Sequence, residues 1–265
     1  MLSAAALGLM PATRRRIQNH LEMAFPELDE SHRNVIMRGC SRHFGLMLGE
    51  IARLWRARPE QVETYCEIEG LEHFQRALEG GRGAMFVTAH CGNWELLSSR
   101  VPVAGVPLIS AVRELADPRL DRLVRESRTR FGTEIVPRGP AAGRQLARSL
   151  ARNKVCGLLI DQDIRDIPGV FVPFFGRPAW TPSGAATLAV RMRSPIIPGF
   201  IHRRPDGSHK VEIHPPLVVP GTGTLEDQVQ ELTATATAAI ESQIRAHPEQ
   251  WVWMHRRWRR QPETV

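Results

Sequence analysis

A histidine and a glutamate stand five residues apart in His90-Cys91-Gly92-Asn93-Trp94-Glu95. His90 follows the continuous apolar run 84–89, which reads as a strand buried on both faces, and Gly92 supplies a turn into the next helix. Folded back over that turn, Glu95 is expected to reach His90 and hold its imidazole in one tautomer. A base held in this way can take a proton from an alcohol. The same spacing also suits a histidine that merely bonds to local backbone, and the residues alone leave both readings open. Cys91 invites a thiol nucleophile, but neighbours on an extended chain point to opposite sides, which argues against a Cys/His pair.

Two further apolar runs end in polar residues. Arg113 follows the run 106–112, where a guanidinium could grip a phosphate or a developing oxyanion, or pair with Glu114, Asp117 or Glu95. Asp161 and Asp163 follow the run 155–160. Two carboxylates with no nearby histidine make a weak metal site, so pairing with arginines near the crevice is the preferred reading. Phe171, Phe174, Phe175 and Trp180 are either core or a wall for an apolar chain. The expected substrate-contacting set is Arg113, Asn93, Asp161, Asp163, Phe174 and Arg177, with no metal and no cofactor.

These residues need a sheet to position them. Strand-like segments at 66–70, 84–89, 106–112, 155–160, 195–201 and 210–214 alternate with helical patterns at 71–78, from 93 onward, and at 225–246. That alternation predicts an α/β fold, a mostly parallel central sheet flanked by helices. Leu21, Phe25, Val35, Ile36, Phe44, Leu48, Ile51 and Leu54 fall at helical spacing and predict an N-terminal helical hairpin over 12–58. The division expected is a helical segment, 1–60, ahead of the main domain, 61–265. Residues 169–178 read as irregular, and Thr181 as the cap of a helix with Pro182 in its first position.

The chain has 265 residues and a net charge of +7, carried by 33 arginines and only two lysines, Lys154 and Lys210. A GC-rich genome is one cause; a demand for bidentate grip on phosphate or carboxylate is the other. Ten arginines against five acids lie between Arg113 and Arg152, and four more arginines with no acid lie between Trp251 and Arg260. Anionic partners are therefore expected. The 42% hydrophobic content excludes a disordered tail, and four scattered cysteines exclude a disulfide framework. A reducing compartment is the default for such cysteine usage. No apolar run reaches the length of a spanning helix. The N-terminus places apolar residues before Arg14, Arg15 and Arg16, the reverse of a signal peptide; it suits a membrane interface or the start of a helix. The terminal Trp251–Arg260 segment interleaves aromatic and basic residues, a pattern of membrane interfaces and of nucleic-acid surfaces.

Block by block, the chain resembles the lipid A biosynthesis acyltransferases, the lauroyl- and myristoyl-transferase branch of the lysophospholipid acyltransferase superfamily. HCGNWE carries the family's H-x-x-x-x-D/E motif in His90 and Glu95, and Asp161-Gln162-Asp163 its D-Q-D triplet. GVFVPFFG at 169–176, TPSGAA at 181–186, the strand at 195–198 and WVWMHRRWRRQP follow in order, so the resemblance covers roughly 15–262. It implies O-acyl transfer from acyl carrier protein or acyl-CoA to a hydroxyl of a lipid A precursor, or of a related glycolipid or phospholipid. His90 and Glu95 would form the general-base dyad, and Arg113 would match the arginine after the family's second strand. It further implies a membrane surface as partner and a place at the cytoplasmic face of the bacterial inner membrane, peripheral or weakly anchored. The family's usual membrane-spanning front segment is expected to be missing or partial here. A second reading is a non-catalytic basic α/β protein that binds anionic lipid or nucleic acid. The ordered motifs and the lack of a nucleic-acid signature argue against it, and no nucleic-acid partner is expected.

Overall fold

The computed structural model describes residues 11–112 and 116–262. Arg113, and the apolar start of the chain ahead of Pro11, lie outside the described residues. The described residues open with two helices, α1 (Pro11–Ala24) and α2 (Glu30–Leu54). Asp29 caps α2 by accepting from the His32 backbone N–H at 2.8 Å. The chain continues through α3 (Pro59–Tyr65), β1 (Cys66–Glu69), α4 (Leu71–Glu79), β2 (Ala84–Thr88), α5 (Trp94–Val103) and β3 (Leu108–Val112). Then come α6 (Pro118–Thr129), β4 (Glu134–Pro137), α7 (Ala142–Ala151), β5 (Val155–Leu159), β6 (Gly169–Phe174) and β7 (Arg177–Pro182). The last elements are α8 (Gly184–Met192), β8 (Ile196–Arg203), β9 (His209–Ile213) and α9 (Leu225–Ala246).

Seven strands form one sheet in the order β1-β9-β8-β2-β5-β3-β4. All neighbours are parallel except β8 and β9, which pair antiparallel. The mostly parallel sheet and the N-terminal helical segment match the expectation. β2 is buried along its whole length, and its side chains alternate between two cores. Met85, Val87 and Ala89 face a core built with α1, α2, α7, α8 and α9, whereas Ala84 and Phe86 face one built with α3, α4 and α5. Helices α1 and α2 thus share a core with the sheet.

Three local expectations differ from the structure. Residues 169–182 form an antiparallel hairpin, β6–β7, rather than an irregular stretch, and Phe171 and Trp180 stand opposite each other in it. Phe175 and Gly176 both adopt positive φ, +53° and +69°, which gives the two-residue turn whose twist suits a hairpin. Thr181 and Pro182 close β7, and the next helix begins after Ser183. β4 was not anticipated, because it offers only Ile135 and Val136 as adjacent apolar residues.

The C-terminal aromatic and basic segment is largely core, contrary to a surface role. Trp251 and Trp253 are fully buried, as is Arg257. Arg257 donates to the Trp180 carbonyl and to Thr181 Oγ1, and its guanidinium lies 4.7 Å from the Phe174 ring. Burial lowers its pKa to about 10, against the opposing charges of Asp161 and Asp163. Only Arg256 and Arg259 of the four arginines stay exposed.

Candidate active site

His90 sits at the carboxyl end of β2, and β5 is its parallel neighbour in register from Ala84↔Val155 to Thr88↔Leu159. The ladder continues with Ile160 N–H donating to the Thr88 carbonyl, so the next residues across the pair are His90 and Asp161. Strand order alone therefore brings them together. The His90 ring donates from Nδ1 to Asp161 Oδ1 at 2.8 Å, and the His90 backbone N–H donates to Oδ2 at 3.0 Å. Trp251 Nε1 adds a donor to Oδ2 at 2.8 Å. A carboxylate can only accept here, so Nδ1 carries the hydrogen and Nε2 is left with its lone pair.

The Asp161 side chain is 0% exposed and the His90 ring 24%. Burial pushes the Asp161 carboxyl up, but the charge of His90 and the hydrogen bonds from His90 and Trp251 outweigh it and bring the pKa down to about 2. The carboxylate is thus ionised at neutral pH and fixed by three donors. The partly open imidazole is the reactive face of the pair.

Glu95 does not take the position expected of it. Both of its oxygens accept from Arg128, Oε2 from Nε at 2.8 Å and Oε1 from Nη2 at 2.6 Å, and Trp94 Nε1 donates to Oε1 at 3.1 Å. This is a bidentate, largely buried pair. Burial alone would lower the Arg128 pKa; the hydrogen bonds and charge of Glu95 raise it instead. Trp94 links the two groups, since its ring meets the His90 ring edge-on with centroids 5.0 Å apart. Glu95 therefore bears on His90 through Trp94, while Asp161 touches it directly.

The turn between them is clamped from behind. Gly92 has φ +56°, and a Cβ there would stand 2.1 Å from the Ile201 carbonyl oxygen, so only glycine fits. Its N–H donates to the Gln250 carbonyl at 2.9 Å, and its carbonyl accepts from His43 Nε2 of α2 at 3.1 Å. Asn93 is fully buried and committed: Oδ1 accepts from the Leu96 N–H, capping α5, and Nδ2 donates to Glu50 Oε2 at 2.9 Å. Glu50 also binds Arg203 bidentately. Asn93 thus shapes the turn and presents no surface to a substrate. Cys91 is buried, and burial first, then the Asp161 charge, pushes its thiol well up, which leaves no thiolate for nucleophilic chemistry.

The other expected contacts are spread more widely. Asp163 is buried and accepts from the Arg260 backbone N–H at 3.0 Å, with Arg260 Nε 3.4 Å from its other oxygen. Phe174 is fully enclosed by Phe175, Trp251 and Trp258. Arg177 is exposed beside the hairpin turn. Among the described residues no group of three His, Cys, Asp or Glu side chains could hold a metal ion. Sequence reasoning missed Arg128 and Trp251. Arg128 was one member of a row of arginines, and Trp251 belonged to a segment read as surface.

Comparison with known proteins bears on the reaction. The model of the bacterial lipid A biosynthesis acyltransferase family matches residues 2–260. A lipid A biosynthesis lauroyltransferase of Escherichia coli (strain K12) is 27% identical over 266 residues, covering 100% of this chain and 85% of that one. A lipid A biosynthesis palmitoleoyltransferase of the same strain is 26% identical, with 95% and 81% covered. A phosphatidylinositol mannoside acyltransferase of Mycolicibacterium smegmatis is also 26% identical, with 80% and 70% covered.

Proposed function

Because the chain belongs to the bacterial lipid A biosynthesis acyltransferase family, we propose that it transfers a fatty acyl chain from an acyl thioester to a hydroxyl of a lipid A precursor or related glycolipid. The hydrogen bond from His90 Nδ1 to the buried Asp161 carries this reading. His90 Nε2 accepts the proton of the acceptor hydroxyl as its oxygen attacks the thioester carbonyl. The new C–O bond forms, the C–S bond breaks, and the departing thiolate takes the proton back from the imidazolium. Asp161 fixes the tautomer and stabilises the cation that forms between the two steps. No covalent enzyme intermediate is needed.

Glu95 belongs to this machinery at one remove. It holds Arg128 and the Trp94 ring that lies against His90, so its effect is on the placement of the base. Arg113, which directly follows β3, is assigned to a phosphate of the acceptor or to the developing oxyanion. The donor is an acyl carrier protein or acyl-CoA, whose acidic surface or phosphates suit the arginine excess.

The work is done at a membrane surface, at the cytoplasmic face of the inner membrane. Among the described residues no helix is long and apolar enough to cross a membrane. The support for surface attachment is α2 and the turn after it, where Val35, Leu46, Leu48 and Trp55 are exposed beside the exposed Arg38, Arg42 and Arg53. α2 also carries His43 on its buried face, which grips the turn after His90 and so ties this helix to the placement of the base.

The test is transfer of a labelled acyl chain from acyl carrier protein and, separately, from CoA to a lipid A precursor in vesicles. His90→Ala is expected to lower turnover by about 10²-fold or more. Turnover unchanged by His90→Ala removes the base assignment. Vesicle binding without transfer by the wild type gives the protein over to the non-catalytic reading.

A further inference from the structure

The opposite end of β2 carries a second basic site. An open concavity of about 360 Å³ lies at the amino ends of β2 and β8, with Arg76, Arg82 and Arg193 on its walls and Ala77, Pro195 and Pro216 among its lining. It is separated from His90 by the length of β2, about 17 Å for five residues at ~3.3 Å each. The three arginines, all exposed, come from three different elements: α4, the turn before β2, and the end of α8.

Among the described residues nothing neutralises them: none of the three makes an ion pair, although Glu72 and Glu79 stand four and three residues from Arg76 on its own helix. Three exposed arginines around one hollow give it a positive potential that favours an anion. The walls are nonetheless held together: the buried Ser194 donates from Oγ to the Arg82 carbonyl at 2.6 Å, and Met85 N–H donates to the Pro195 carbonyl at 2.9 Å.

Arg193 supplies an independent sign. It closes α8 at φ +52°, with its own N–H bonded to the Val190 carbonyl and the Ser194 N–H bonded to the Ala189 carbonyl. That is the helix-ending motif in which glycine is the favoured residue, because any side chain is strained there. An arginine in a glycine position, on the wall of a hollow, points to a ligand.

We infer that this hollow binds a phosphate group. A carboxylate fills one guanidinium fork, whereas a tetrahedral phosphate or diphosphate presents oxygens to several at once. The volume leaves room for a small organic body against the prolines and alanine. The phosphate could be carried by a soluble phosphate ester or by a lipid headgroup. The inference stands apart from the acyl-transfer reading, and His90 takes no part in it.

The experiment uses the full chain with two probes: inorganic pyrophosphate, followed by thermal shift and calorimetry, and vesicles of phosphatidic acid against phosphatidylcholine, followed by sedimentation. The wild type is expected to bind pyrophosphate saturably, and Arg82→Gln and Arg193→Gly each to weaken it tenfold or more. Arg193→Gly removes the ligand while relieving the backbone, so its unliganded midpoint should not fall below wild type, and acyl transfer should be unchanged. Pyrophosphate binding alone identifies a soluble ester; phosphatidic acid binding lost in the same variants identifies a headgroup. Absence of both, or binding that the two variants leave intact, overturns the site.

Discussion

The two ends of β2 show opposite treatments of charge. At the carboxyl end three carboxylates are matched: Asp161 has three donors, Glu95 has Arg128, and Asp163 has Arg260. At the amino end three exposed arginines line a hollow, and among the described residues no carboxylate is paired to them. A fully paired group is held in one geometry, which suits a base that must meet its substrate already oriented. An unpaired cluster is incomplete until something binds. The contrast teaches that charge pairing separates a site built for chemistry from a site built for occupancy, even on one strand.

The strongest way to break this comparison is to unpair the carboxyl end. Asp161→Asn keeps the shape of the side chain but removes its charge and admits the wrong His90 tautomer. Turnover is expected to fall by about 10²-fold to 10⁴-fold, with KM for the acceptor little changed. Glu95→Gln should cost less turnover than Asp161→Asn, because it acts through Arg128 and Trp94. Its main effect is on stability: loss of a charge-assisted pair costs about 1–3 kcal/mol, read as a lower midpoint in thermal unfolding. Equal kinetic losses in the two variants would return the orienting role to Glu95.

These assignments mark where the sequence stops being legible. His90 was readable as a strand-end base, and most strands were readable as apolar runs. Its partner was not, because β5 lies beside β2 only in the folded sheet, and a carboxylate 71 positions away competes poorly on paper with one at five. The β6–β7 hairpin was hidden by Pro173 and Pro178, which sit opposite each other in the ladder and break a strand pattern, and by a Phe-Gly turn without the usual Asn-Gly signal. Arg257 misled in the other direction: a guanidinium fully buried among Phe174, Trp180 and Thr181 looks in sequence like one more surface arginine. Pairing is a tertiary property, and composition reports only the supply.

The clamp behind the active turn gives a prediction in pH. Burial lowers the His43 pKa to about 4, despite its bond to the Gly92 carbonyl. In the unfolded chain this ring titrates near the ordinary histidine value of 6.5. Between those values the unfolded state binds a proton that the folded state excludes, so stability falls as pH drops from 6.5 towards 4 and levels off below. His209 and His255, also lowered to about 4 mainly by burial, add to the same slope. His43→Gln should reduce that slope by up to about 1.4 kcal/mol per pH unit, measured by urea unfolding at a series of pH values. A slope identical to wild type would mean that His43 is protonated in the fold and does not donate to Gly92 as a neutral ring.

The smallest expected effect tests the amino end without any ligand. If Arg193 is held in the left-handed conformation for the sake of a bound phosphate, the unliganded protein carries that strain unrelieved. Arg193→Gly removes the Cβ clash and one of three mutually repelling cations, against a modest entropy cost in the unfolded chain. The balance should be a gain of about 1 kcal/mol, seen as a midpoint a few degrees higher at low salt. The gain should shrink as salt screens the repulsion. At saturating pyrophosphate the order should reverse, with the wild type the more stable, because binding to the folded state stabilises it by mass action and the variant has lost the binding. A variant less stable than wild type without ligand would show that Arg193 serves the fold rather than an occupant, and the two ends of β2 would then no longer differ in kind.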